Sequence, residues 1–123
     1  MASTIPFKLI TPTQVVFDGD AELVIAVTTE GEEGILPSHA PFLAALKPGV
    51  LRANVLKDGA SERLELATRE GFMQALPDRV TVLVDEALRF EDIDVAKTRE
   101  ELAAAVDPVT IEFAAAKLRL TGH

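Results

Sequence analysis

The stretch LRANVLKDGASERLELAT, residues 51–68, changes polarity at nearly every step. Leu51, Ala53 and Val55 share one face, opposite Arg52, Asn54 and Leu56, and Leu64 and Leu66 repeat the scheme beyond Asp58-Gly59. Strand side chains alternate between two faces, so each half reads as a strand with one face in a core. The same period recurs on both sides. In LVIAVT (23–28) the larger Leu23, Ile25 and Val27 fall on one face and Val24, Ala26 and Thr28 on the other, while RVTVLV (79–84) aligns Val80, Val82 and Val84. Turn dipeptides separate the runs at Asp18-Gly19, Glu30-Gly31, Pro48-Gly49, Glu70-Gly71 and Pro77-Asp78. Short strands at this spacing predict an antiparallel sandwich or barrel over residues 1–87.

From residue 88 to 123 the period changes and alanine dominates. DIDVAKTREELAAAV (92–106) reads as a helix capped by Asp92, with Asp94 in the first turn, where the helix dipole favours negative charge, and with Ile93, Ala96, Ala103 and Val106 at helical spacing. Asp107-Pro108 marks a second start, an N-cap followed by proline at the first helical position, and that helix runs through Ile111, Phe113, Ala114 and Leu118 to Gly122. Helices this short are marginal alone in water, so the resulting hairpin must pack on the strands or on a partner. Apolar residues assigned to the outer strand faces, Ile10, Val16, Val50, Leu56 and Leu83, give it or another protein something to cover.

Composition narrows the function. The chain of 123 residues is 48% hydrophobic, enough for a real core, and carries 20 acidic against 12 basic residues, a net charge of −8. Phosphate binding needs clustered lysine and arginine, which argues against nucleic acid, and the negative charge disfavours anionic lipid. The absence of cysteine excludes disulfides and thiolate chemistry. No apolar run approaches the roughly 18 residues of a membrane span, and the start lacks the pattern of a signal peptide, so a soluble, cytoplasmic chain without direct membrane insertion is expected.

Between the strands lies EGEEGILPSHAPFLAALKPG (30–49), dense in glycine and proline, with one of the two histidines. Ser38 and His39 are neighbours in what reads as an extended segment, so they point to opposite sides and do not form a nucleophile and base. The carboxylates of Glu30, Glu32 and Glu33 lack calcium-loop spacing and read as a solvated acidic loop, and no phosphate-cradling GxxxxGK[ST] exists. The sequence offers no catalytic residues, no metal ligands and no cofactor site.

The same stretch closely resembles the signature of the epsilon subunit of F-type ATP synthases, homologous to the mitochondrial delta subunit. The pattern is matched by Gly31, Glu32, Gly34, Ile35, Pro37, His39, Ala40, Pro41, Leu46, Pro48 and Gly49. TPTQVVFDGDAELVIAVTTEG and REGFMQALPDRVTVLVDEA are similar to the family's first and last strands, with Glu70 where a glycine is often found. The resemblance implies a mainly β fold, a ten-stranded antiparallel β-sandwich (1–87) followed by a short two-helix hairpin (88–123). It also implies a non-catalytic rotor subunit that grips gamma, rests on the c ring and couples proton translocation to ATP synthesis. It assigns the c-ring and gamma contacts to Glu32, Pro37 and His39, with Thr11 and Ala44 close by. Proline and glycine would keep that edge rigid.

In many bacterial relatives the hairpin reaches the alpha/beta catalytic head and restrains ATP hydrolysis, and some bind ATP as a regulatory ligand through Ile/Leu-Asp-x-x-Arg-Ala. Here the motif's places hold Ile93, Asp94 and Lys97, followed by Thr98. Lysine keeps the charge of the family's arginine but loses its planar donor fork. The alternative reading of the whole chain is a free-standing all-β binding module whose hairpin forms a dimer interface.

Overall fold

The computed structural model describes residues 3–122; His123 lies outside them. Nine strands form the first part: β1 (Ile5–Ile10), β2 (Val15–Thr28), β3 (Gly31–Ile35), β4 (Phe42–Leu46), β5 (Gly49–Lys57), β6 (Ala60–Thr68), β7 (Gly71–Leu76), β8 (Arg79–Val84) and β9 (Ala87–Arg89). A 3-10 turn, Phe90–Asp92, leads into α1 (Val95–Ala104) and α2 (Pro108–Leu120). The sandwich-plus-hairpin class expected from the sequence is the class observed. Two details differ. The described residues hold nine strands rather than ten, because 15–28 runs as one long strand, and β1 pairs with β8 in parallel.

That long strand joins the layers. Its first half pairs with β1, and its second half pairs with β5 on one side and β3 on the other. The order β1-β8-β7-β4-β2 returns to β1, while β5, β6 and β9 continue outward from β2. Core side chains follow the alternation: Leu51, Ala53 and Val55 from β5, Leu64 and Leu66 from β6, and Val80, Val82 and Val84 from β8 are all buried, against Ile5, Phe7 and Leu9 of β1. The β5–β6 turn is two residues long, with Asp58 at φ 52° and Gly59 at φ 81°. Both are left-handed, as a turn matched to the twist of a hairpin requires, and Asp-Gly is the pair that tolerates it.

In β2 the inward face belongs to Val24, Ala26 and Thr28, whereas the larger Leu23, Ile25 and Val27 lie half-buried on the outside. A register shift between Ala21 and Leu23 causes this. One extra residue at Glu22 exchanges the faces of everything that follows.

The hairpin packs on the outside of β5 and β6. Phe113 and Ala116 of α2 bury against Ala67, with Val50, Leu88, Ile93 and Leu120 around them. Two cations frame the Phe113 ring: the Arg69 guanidinium at 5.7 Å and the Lys117 ammonium at 4.7 Å from its centroid. Lys117 is itself buried and donates to Glu101 of α1 at 3.2 Å. Helix α1 buries only Thr98, so its attachment runs largely through α2.

The N-cap of α1 is Asp94, not Asp92: its Oδ1 accepts the Lys97 N–H at 3.0 Å, while Asp92 ends the 3-10 turn. Ile93 takes an extended conformation between them, which turns its side chain into the hairpin interface. Val106 sits past the end of α1 and is 91% exposed, so it is not part of the helix's apolar face. Asp107 caps α2 as expected, accepting the Thr110 N–H at 2.9 Å, with Pro108 at the first helical position.

Candidate functional site

The turn between β2 and β3 is built by Thr28, whose hydroxyl donates to the Gly31 carbonyl at 2.7 Å and accepts the Glu30 N–H at 3.1 Å. Gly31, at φ 120°, lets the chain reverse there. β3 then lays Glu32 opposite Val27 at the sheet edge. Its carboxylate reaches past β2 to the Arg52 guanidinium of β5, 2.6 Å away. Glu30 and Glu33 face Ala44 across a groove of about 310 Å³ also lined by Phe42 and Leu43.

Pro37 and His39 occupy the next turn. Ser38 stands at φ 66°, so this segment is bent rather than extended, contrary to the sequence expectation. The left-handed conformation costs a non-glycine residue about 1–2 kcal/mol and is held by the turn around it. His39 Nδ1 lies 2.7 Å from the Ala40 carbonyl and donates to it, and the ring meets Phe42 edge-on at 6.0 Å. With Nδ1 so engaged, His39 fixes the turn's shape. Thr11, at the end of β1, is buried at 7% exposure, and its hydroxyl faces Thr13 and the Gln14 carbonyl. Ala44 is half-buried against the core. Glu32 is thus turned toward Arg52, Pro37 and His39 share the following turn, Ala44 lines the groove with Glu30 and Glu33, and Thr11 is an interior position.

Sequence reasoning found only part of the main exposed apolar row: it placed Ile10 and Leu83 on outer faces but missed Phe72 between them and β4. On the outer face of the β4–β7–β8–β1 layer, cross-strand partners run Ala45, Phe72, Leu83, Ile10 and then Val15 of β2. Phe72 is 59% and Leu83 49% exposed, and Leu43, one row away, is 72% exposed. Strands about 4.8 Å apart make this a row roughly 20 Å wide. The signal was present in GFMQAL, where alternation opposes Phe72 to the buried Met73. A contiguous apolar row on a folded surface is a mark of a protein-binding face.

At the far side, where the sandwich meets the hairpin, Ile93, Asp94, Lys97 and Thr98 border a cavity of about 150 Å³ with Glu101 and Lys117. Pockets that hold small molecules typically measure about 300–1,000 Å³. One oxygen of the Asp94 carboxylate, Oδ1, is engaged by its capping bond. No helix among the described residues is long and apolar enough to cross a membrane.

Comparison with known proteins agrees with this architecture. The family described as "ATP synthase, Delta/Epsilon chain, beta-sandwich domain" matches residues 4–90. The chain is 43% identical to the ATP synthase epsilon chain of Chromobacterium violaceum over 100 residues, covering 81% of this chain and 70% of that relative. It is 41% identical to the ATP synthase epsilon chain of Xanthomonas campestris pv. campestris over 123 residues, covering 94% and 86%. Among solved structures, a chain of the Euglena gracilis mitochondrial ATP synthase (OSCP/F1/c-ring) matches with a TM-score of 0.66 at 20% identity, covering 97% of this chain and 78% of that one. A chain of the Tetrahymena thermophila mitochondrial ATP synthase central stalk/c-ring matches with a TM-score of 0.58 at 18% identity, covering 97% and 91%. At these identities the structural matches concern the fold.

Proposed function

The chain belongs to the ATP synthase delta/epsilon family, and we propose that it works as a non-catalytic subunit of the central stalk of an F-type ATP synthase. In this reading the sandwich grips gamma through the apolar row Ala45, Phe72, Leu83 and Ile10. The neighbouring edge, with Glu32, Pro37 and His39, rests on the c ring and couples proton translocation to ATP synthesis. The complex would place it at the cytoplasmic face of a bacterial inner membrane, as a peripheral component.

The observation that carries the proposal is the exposed row itself. Phe72 and Leu83 are about half open to water yet adjacent across a ladder, an arrangement that buries well only against a second protein. Gamma is the partner that the family supplies. The hairpin's reach toward the alpha/beta head, and any ATP bound near Ile93, Asp94 and Lys97, are finer parts of the same proposal. The small cavity there means that a nucleotide would require the hairpin to open around it.

Titrating an epsilon-free catalytic head that contains gamma with the full chain, and with Phe72→Asp/Leu83→Asp, tests the proposal. Both side chains are exposed, so the sandwich should fold, and affinity should fall on the order of 100-fold. Equal binding by the double variant would remove the apolar row from the gamma interface. The hydrolysis rate in the same titration reads whether the seated hairpin acts as a brake.

A further inference from the structure

Glu32 does not project freely from the sheet edge. Its carboxylate is drawn inward by Arg52, two strands away, and both line one cavity of about 300 Å³ together with Glu65 of β6 and Arg119 and Leu120 at the end of α2. Arg52 stands directly opposite Glu65 in the β5–β6 register. Neither Glu65 nor Arg119 is ion-paired among the described residues. The cavity therefore holds two carboxylates and two guanidiniums, and one of the cations belongs to the hairpin.

We propose that Arg52 is a positioning residue that sets the direction of the Glu32 carboxylate according to whether α2 is seated. This rests on the reading that Glu32 docks on a partner. With α2 in place, Arg119 adds a second positive charge to the cavity, and Arg52 pairs with Glu32 rather than with Glu65. If α2 leaves, the cavity keeps two anions and one cation, and Glu65, a direct cross-strand neighbour, competes for Arg52. The pair is partly exposed, at 29% for Arg52 and 56% for Glu32, so it is screened and weak. Such an interaction contributes little to stability but is easily redirected. The sandwich edge would then sense the state of the hairpin through charge alone, with no movement of the core.

The experiment uses the full chain assembled in its ATP synthase complex on inverted membrane vesicles, reading the ratio of proton pumping to ATP hydrolysis. Arg52→Met keeps the stem that covers β2 and removes the charge; the ratio should fall about two- to fivefold, the range open to an exposed pair. Arg52→Lys should restore most of it. Arg119→Glu, with α2 still helical by circular dichroism, should lower it by drawing Arg52 away from Glu32. Glu32→Gln tests the underlying reading separately. If Glu32→Gln leaves the ratio unchanged, the docking role fails. If Glu32→Gln lowers it and Arg52→Met does not, or if lysine gives no rescue, docking stands and the positioning role is overturned. A wild-type ratio for Arg119→Glu would overturn the link to the hairpin.

Discussion

The sandwich and the hairpin are held by contacts of different kinds. Among the described residues the sandwich core gathers eighteen buried apolar side chains from eight strands, while the hairpin's own cluster has three, Ala67, Phe113 and Ala116. The hairpin adds charged contacts: Lys117 to Glu101 and to Phe113 within it, and Arg69 to Phe113 and Lys47 to Glu112, at 3.6 Å, across to the sandwich. Apolar burial involves no titrating group and is not screened by salt, whereas exposed ion pairs are. The sandwich thus rests chiefly on apolar burial, and a larger share of the hairpin's contacts is open to screening.

The two regions should respond differently to loss of a central side chain. Leu66→Ala empties a fully buried site of β6 and should cost about 3 kcal/mol in global stability, read by denaturant unfolding. Phe113→Ala removes a side chain of similar burial from the hairpin interface. Its global cost should be smaller, because the loss cannot exceed the free energy that docks α2. Amide exchange should show protection disappearing through 95–120 while β5 to β8 keep theirs. If instead exchange rises together in strands and helices, the chain is one cooperative unit and the division is wrong.

Much of this division was legible in the sequence, and what was not has physical causes. Period-two alternation picked the inward residues of β5, β6 and β8 because those strands run without interruption. In β2 it could not say which face was inward, since the extra residue at Glu22 depends on how β2 meets β5. Asp92 and Asp94 are equally good caps by residue type. Packing of Ile93 into the interface chose between them. At the candidate site, the turn residues 30–49 were visible from their glycines and prolines. The Arg52 partner of Glu32 lies twenty residues away and comes near only through the sheet register. Phe72 was hidden in a different way, as a core-type residue placed on an outer face.

A subtler contrast sits inside the hairpin, between the buried lysine and its partner. Lys117 is 6% exposed and serves both as a cation for Glu101 and as apolar cover for Phe113. Lys117→Met preserves the cover and removes a charge whose desolvation offsets most of its attraction, so stability should change by less than about 1 kcal/mol. Glu101→Ala leaves the ammonium buried without its partner. Because Glu101 is 40% exposed, water can replace part of what it supplied, and a loss of about 1–2 kcal/mol is expected. Thermal unfolding of both variants decides it. A larger loss for Lys117→Met would mean that the ion pair, not the packing, holds α1 to α2.

The smallest expected effect concerns the first turn of α2, and its sign follows from hydrogen bonding. The Asp107 carboxyl is held below its ordinary value of 3.8, first by the Thr110 backbone N–H, then by the Thr110 side chain, with a minor contribution from the Arg69 charge. A lowered folded pKa means that the unfolded chain binds the proton more readily. The contribution is therefore complete above that ordinary value and fades as pH falls through the lower folded one. Acid should loosen α2 at its start, with the Thr110 amide losing exchange protection before the β5 and β6 amides do. Asparagine caps a helix without titrating, so Asp107→Asn should keep the helix at neutral pH and flatten this dependence. If Thr110 loses protection at the same pH in both chains, the acid response belongs to another group, and the hairpin's sensitivity must come from its ion pairs.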